Sequence, residues 1–157
     1  PKKPVIMSCS SCFEYLIQLY TSARENIIVC SNYYYTIDNP DNKKFVEAYK
    51  KKFKGVPPGY AGAAGYGLMK MTLLGMQKSG STEPQKVITA LEEHKGKNFV
   101  GDFEIRGRNH QTVRPFFVLQ TKKKSEMKNE YDMAEVVDVS STEQPKNINM
   151  CEDIGSF

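Results

Sequence analysis

Cys9 and Cys12 form the run Cys-Ser-Ser-Cys, set between a stretch that reads as a strand and one that reads as a helix. A C-x-x-C pair in that setting is the local context of a thiol–disulfide redox centre, because the start of a helix stabilises a thiolate. The same residues equally suit a plain disulfide or two unpaired small core side chains, and no Trp flanks them. Ser8, Cys9, Ser10 and Ser11 also make a hydroxyl-rich loop. Seryl hydroxyls donate or accept, and the exposed N–H groups of a following helix favour an anionic or strongly polar ligand group. The simpler role of Ser10 or Ser11 is to cap that helix, and capping does not exclude binding. Cys30, His94, His110 and Cys151 are scattered without the spacing of a zinc finger or ribbon, so no metal and no cofactor is expected. If all the cysteines were bonded, three connectivities would remain open. Gly62, Gly65 and Gly67 fall inside a helical pattern, where packing explains them better than phosphate binding. No base stands beside a nucleophile at His110, and His94 reads as a helix-end residue.

The elements that must position the Ser8–Ser11 loop come at the start of the chain. Pro4 to Met7 reads as a short strand, Phe13 to Tyr20 as a helix with Tyr15, Leu16, Leu19 and Tyr20 toward a core, and Asn26 to Ser31 as a second strand. This is a βαβ unit with a parallel pair. Its right-handed crossover leaves the loop at the carboxyl end of the first strand, where open α/β sheets place ligands. Ser31 to Ile37 then carries Tyr33, Tyr34 and Tyr35 in a row. Neighbours on an extended chain face opposite ways, so at least one tyrosine looks outward or into a cleft. Tyr33 is taken as the candidate for ligand contact, beside the simpler reading of all three as amphipathic packing.

The centre of the chain, Asn39 to Gly80, reads as two helices with a sharp corner. Asn39 is a good N-cap, Pro40 suits the first helical position and Asp41 complements the positive end. Phe45, Tyr49 and Phe53 make one apolar stripe, with Lys43, Lys44, Lys50, Lys51 and Lys52 on other faces and Gly55 as a stop. A second helix begins near Pro57 or Pro58, and its Ala61, Gly62, Ala64, Gly65 and Gly67 imply close backbone packing. Thr82 and Gln85 have capping-box spacing ahead of a third helix buried through Val87, Ile88, Ala90 and Leu91. Phe99 to Ile105 and Val113 to Gln120 read as a hairpin joined by Arg106 to Gln111. From Lys122 the chain becomes a charged linker, then YDMAEVVDV, able to hold one short strand or helix, and then a mobile tail.

The 157 residues, 39% hydrophobic and 25% charged, are ordinary soluble-globular material, large enough for one packed domain. The net charge of +4 comes from lysines spread over helix faces and one linker, which is a solvated surface and not a nucleic-acid footprint. The sequence contains no run of eighteen apolar residues, no signal peptide and no initiating Met.

The ordered series NPDNKKFVEAYKKKF, a proline-marked corner, YAGAAGYG, GS, a third helix and GDFEIRGRNHQTVRPFFVLQTKK resembles the closing part of a type I periplasmic binding protein. More narrowly, it is similar to the branched-chain amino-acid group of ABC-transporter solute-binding proteins. The series is specific as an order and weak motif by motif, and extends more faintly over most of the chain. The resemblance implies an α/β fragment of a two-lobed fold: a parallel βαβ start, three helices, then a β-hairpin and mobile tail. It divides the chain into residues 1–36, the end of one lobe and a crossover; 37–121, helices and hairpin returning to the other lobe; and 122–157, linker and tail. It implies a C-terminal portion whose N-terminal lobe precedes Pro1.

The function implied is reversible binding of a small polar solute in an interlobe cleft and delivery to the membrane permease of an ABC transporter. Hinge closure, not covalent catalysis, would be the mechanism, and the location periplasmic or cell-surface anchored. No nucleic-acid partner is implied. In amino-acid-binding members the loop matching Ser8 to Ser11 carries an acid that meets the ligand's ammonium. This chain has none there, Glu14 lying within the helix, and its His110-Gln111 loop looks more like a branch with aromatic or other organic-acid ligands. The alternatives are a ligand-sensing domain of the same fold and a thiol–disulfide oxidoreductase using Cys9 and Cys12.

Overall fold

The computed structural model describes residues 6–8, 25, 27–107 and 109–141. Their contacts separate into two compact units, one holding the described residues up to Ala63 together with Phe116–Ser140, the other Ala64–Pro115 and Ser141. The boundaries of these units fall at Ala63/Ala64 and Pro115/Phe116.

The first unit is built on a sheet whose strands are β1 (Ile6–Ser8), β2 (Ile27–Ser31), β6 (Pro115–Thr121) and β7 (Ala134–Ser141), in that spatial order. β1 and β2 are parallel, with Ile6 opposite Ile27 and Ser8 opposite Val29, as the expected βαβ unit requires. The helix expected at Phe13 to Tyr20 lies outside the described residues. β6 runs antiparallel to β2 and pairs Val29 with Leu119 and Ser31 with Phe117. All of these are buried, Leu119 completely. The alternation along β6 puts Phe117, Leu119 and Thr121 on the inner face, and a fully buried leucine contributes about 2 kcal/mol. Thr121 adds a polar tie, its hydroxyl accepting from the Ile27 N–H at 2.9 Å.

Helix α1 (Pro40–Lys52) begins as its sequence dictates, Asn39 Oδ1 accepting from the N–H groups of Asp41 and Asn42 at 2.8 and 3.3 Å. The aromatic stripe fades along it. Phe45 is buried, Tyr49 half-buried, and Phe53, at the helix end, is exposed and stacked on Tyr49. Lys54 and Gly55 then take left-handed conformations and the Gly55 N–H returns to the Lys50 carbonyl, ending the helix. Beyond β6 the charged stretch contains a short 3-10 turn (Lys124–Glu126), and of the two options for YDMAEVVDV the strand is observed, as β7. Residues 142–157 lie outside the described set.

Helix α2 (Tyr60–Ser79) starts later than Pro57, because Pro58 biases Pro57 away from helical geometry. Its end at Ser79 and Gly80 is the expected one, Gly80 turning with φ +61°. The second unit packs α3 (Pro84–Leu91) against it so closely that a Cβ on Gly75 would meet Val87 at 2.8 Å and Leu91 at 3.0 Å. The expected capping box does not form. Pro84 fixes the first helical position, so the cap falls on Glu83 and not Thr82.

A small antiparallel sheet completes this unit: β3 (Lys95–Asn98), β4 (Gly101–Ile105) and β5 (Thr112–Val113). The hairpin across Arg106 to Gln111 is present, with Glu104 opposite Val113, but it is short. The chain breaks at Arg114, and most of the expected partner strand becomes β6 in the other unit. Phe99 and Val100, expected in the strand, are buried in a tight turn between β3 and β4. There Asn98 Oδ1 accepts from the Val100 N–H at 2.9 Å. Gly101 follows with φ +130°, and a Cβ on it would stand 2.8 Å from Pro115 Cγ. β3 has low strand propensity and is held by its partner, with cross-strand pairs Lys95–Glu104 at 3.2 Å and Lys97–Asp102 at 3.3 Å.

Candidate functional site: the carboxyl end of the parallel strands

Parallel register sets Ser8 at the carboxyl end of β1, beside the point where β2 runs out through Ser31 into Asn32. Ser8 is thus the last strand residue and not the first of the loop. Cys9, Ser10, Ser11 and Cys12 lie outside the described residues, and with them the expected loop and the Cys9–Cys12 pair.

Ser31 is fully buried and folds the chain back on itself. Its hydroxyl donates to the Tyr33 carbonyl at 2.8 Å and accepts from the Tyr33 N–H at 3.3 Å. This local turn replaces the sheet ladder that β2 has left. The tyrosine run then resolves into three different jobs.

Tyr33, the sequence candidate for ligand contact, is 2% exposed, its ring edge-on to Phe45 and its hydroxyl donating to Asn42 Oδ1 at 2.9 Å. Tyr34 is 1% exposed; its hydroxyl donates to the Tyr131 carbonyl at 3.2 Å and accepts from the Ala134 N–H at 3.0 Å. Burial is the main reason its phenol is pushed above its ordinary value. Tyr35 is the half-exposed one. Its ring packs 5.0 Å from that of Tyr34, and Lys50 Nζ stands 5.6 Å from its centroid. Burial first, and then the charge of Asp132, raise its pKa as well.

Two polar residues not singled out in the sequence hold this end together. Asn42 is completely buried in the first turn of α1, and its Nδ2 donates to the carbonyls of Tyr35 at 3.0 Å and Ile37 at 2.9 Å. One amide side chain therefore fixes the path from β2 to α1. Asp132 is buried and bonded by Lys122 Nζ at 2.7 Å and by the Lys128 N–H at 3.0 Å. Burial pushes its carboxyl up, but the Lys122 bond, the Lys128 N–H and the two lysine charges outweigh that and hold it below the usual value. The sequence signal for Asn42 was weak: a polar residue on the same face as Phe45 and Val46, three positions after the cap.

Chemically, the described part of this end offers a half-exposed tyrosine ring on a fixed backbone, with a lysine over its face. Among the described residues no group of His, Cys, Asp and Glu is arranged to hold a metal ion. Cys30, in β2, is a free thiol.

The second unit has a groove of about 550 Å³ between α2 and the small sheet, floored by Met71, Leu74, Phe99 and Phe103, with Lys70 and Lys97 at its rim. His94 lines it too. Its pKa is lowered, first by burial and then by the charge of Lys78, whose ammonium bonds Nδ1. Both causes disfavour the charged imidazole at this helix end. His110 joins Glu92 at 2.9 Å, and the Gly107 N–H joins Glu93 at 2.8 Å, tying the hairpin loop to the end of α3.

Residues 2–126 match the family described as periplasmic binding protein, and the chain belongs to that family. The solved structures most usefully compared share its α/β fold. One is an amino-acid ABC transporter substrate-binding protein from Pseudomonas fluorescens Pf-5, 24% identical with TM-score 0.81 over 90% of this chain and 38% of that one. A leucine-binding protein from Thermotoga maritima is 23% identical, TM-score 0.65, over 80% and 34%. A solute-binding protein of an ABC transporter from Rhodopseudomonas palustris BisB5, in complex with 3,4-dihydroxybenzoic acid, is 22% identical, TM-score 0.62, over 73% and 30%. The chain thus spans about a third of the length of such structures. No curated protein matches it. Among the described residues, no helix is long and apolar enough to cross a membrane.

Proposed function

We propose that this chain is part of a periplasmic solute-binding protein that reversibly holds a small polar solute, an amino acid or an aromatic or other organic acid, for delivery to the permease of an ABC transporter. The observation that carries the reading is the parallel β1–β2 pair, which brings the end of β1 at Ser8 and the Ser31–Tyr35 segment to the carboxyl end of the strands, the place where open α/β folds receive ligands. Ser8, Cys9, Ser10 and Ser11 would supply hydroxyl and N–H contacts. Tyr33, with its hydroxyl on Asn42, would act by holding the segment, and Tyr35 would be the tyrosine that touches the solute. The contacts from an upstream lobe would complete the site on closure, so the reaction is binding without covalent change. Cys9 and Cys12 would be structural in this reading.

The test uses the protein as its gene encodes it, in a thermal-shift panel of amino acids and hydroxybenzoic acids at millimolar concentration. One class should raise the melting temperature, and Tyr35→Ala should weaken that class by roughly tenfold, the value of an aromatic contact of about 1.4 kcal/mol. Stabilisation by no member of the panel would count against the proposal, as would Cys9-dependent insulin reduction.

A further inference from the structure

The groove of about 550 Å³ in the second unit has a direction and two unlike ends. Helical spacing puts Gly67, Lys70, Met71, Leu74 and Gln77 of α2 along one of its walls. At one end the Phe99 ring closes on Gly67, 3.3 Å from where a Cβ would stand, and at the other Lys78 bonds His94, so β3 runs against the sense of the helix. From Gly67 to Gln77 the helix advances about 15 Å, the rise of an extended alkyl chain of about ten carbons. The floor of Met71, Leu74, Phe99 and Phe103 is apolar over that length. Lys70, a turn along from Gly67, and Lys97, just before Phe99, both belong to the Gly67–Phe99 end. Among the described residues, no Asp or Glu lines the groove. Lys70 Nζ stands 5.5 Å from the centroid of the Tyr66 ring. Lys97 meets Asp102 at 3.3 Å, but both side chains are exposed, and such a pair exchanges partners at little cost. At the far end the His94 ring stands edge-on to Phe103. The volume lies within the range of about 300–1,000 Å³ usual for small-molecule sites. A long apolar floor with two cations at one end complements a molecule with an anionic head and a straight apolar tail.

We propose that this groove is a second ligand site, for a medium-chain fatty acid, with the carboxylate between Lys70 and Lys97 and the alkyl chain laid over Met71, Leu74 and Phe103 toward His94. The proposal is independent of the solute site, since it uses no residue of the first unit. Its test is isothermal titration of the protein as its gene encodes it with decanoate, kept below the concentration at which it forms micelles. Decanoate should bind with a dissociation constant of roughly 10–100 μM. Each methylene removed should weaken binding by about fourfold, so octanoate should bind on the order of tenfold more weakly. Decyltrimethylammonium, with the same tail and the opposite charge, should bind at least roughly tenfold more weakly than decanoate. The double substitution Lys70→Gln, Lys97→Gln should weaken decanoate by about tenfold and close the gap between the two head groups. Lys70→Arg with Lys97→Arg, which keeps both charges, should hold the affinity within about threefold. No decanoate binding at millimolar concentration would overturn the proposal, as it would if another segment of the gene-encoded chain fills the groove. So would equal binding of the cationic amphiphile, affinities that do not change with chain length, or an affinity untouched by the double glutamine substitution, which would place the fatty acid elsewhere on the protein.

Discussion

Asn42 shows how much can hang on one side chain. Its amide accepts from Tyr33 and donates to the Tyr35 and Ile37 carbonyls while fully buried, so Asn42→Ala should cost about 3 kcal/mol of stability by removing bonds to groups that lack water. Tyr33→Phe should cost only about 1 kcal/mol. Urea denaturation of the two variants separates these values; equal costs would show that the amide does not organise the segment. Asp132 makes a prediction in pH. Burial pushes its carboxyl up, yet the bonds and charges of Lys122 and Lys128 prevail and hold the folded-state pKa below the ordinary 3.8. The unfolded chain therefore binds the proton more readily, and the stabilisation is fully present above the unfolded pKa and lost as pH falls through the folded one. Wild type should lose stability steeply below about pH 4, and Asp132→Asn, weaker at neutral pH, should show a flatter acid limb in melting temperature. At this scale the sequence was legible where a residue's role is local, as with the cap at Asn39. It was not legible for Tyr33, because the strand alternation says that some tyrosine must face out without saying which. The partner that decides the matter, Asn42, lies on another element.

The elements repeat the lesson. The start of α1 and the end of α2 were readable because caps, prolines and glycines act on the backbone within a few residues. β3 was not, since Lys-Gly-Lys-Asn has little intrinsic preference for a strand and takes that form only opposite Asp102 and Glu104. The alternation of lysines facing acids across a turn was the one available signal. The expected hairpin partner was divided at Arg114 by a tertiary requirement, the need of β2 for a neighbour. The corner where this happens should be brittle. Gly101 holds φ +130° and has Pro115 against it, so Gly101→Ala should destabilise by about 2–3 kcal/mol through backbone strain and overlap together. Chemical denaturation measures it, and a cost under about 0.5 kcal/mol, the ordinary surface value, would mean that the turn relaxes freely.

For the whole molecule, the ordered series of segments identified the fold before any side chain was placed. The site was legible only to the level of a strand end, since the Ser8–Ser11 loop falls largely outside the described residues and, on the function proposed above, the rest of the cleft comes from another lobe. That incompleteness has a measurable form. On the same proposal, the 157-residue chain should bind the solute found for the gene-encoded protein far more weakly than that protein does, because contacts made only in the closed state would be lacking. Isothermal titration giving micromolar or tighter affinity for the shorter chain would show that this half is sufficient.

One pairing bears on how such a chain comes to be folded at all. The backbone of Ile27 is satisfied by the side chain of Thr121, 94 residues further on, and β6 reaches β2 only after all of α1 to β5 has been made. A chain still emerging from the ribosome must therefore carry β2 with one edge bare until β6 has been synthesised. Loop closure over that distance is slow. Throughout that interval the unpaired edge of β2 stands open to strands of other chains.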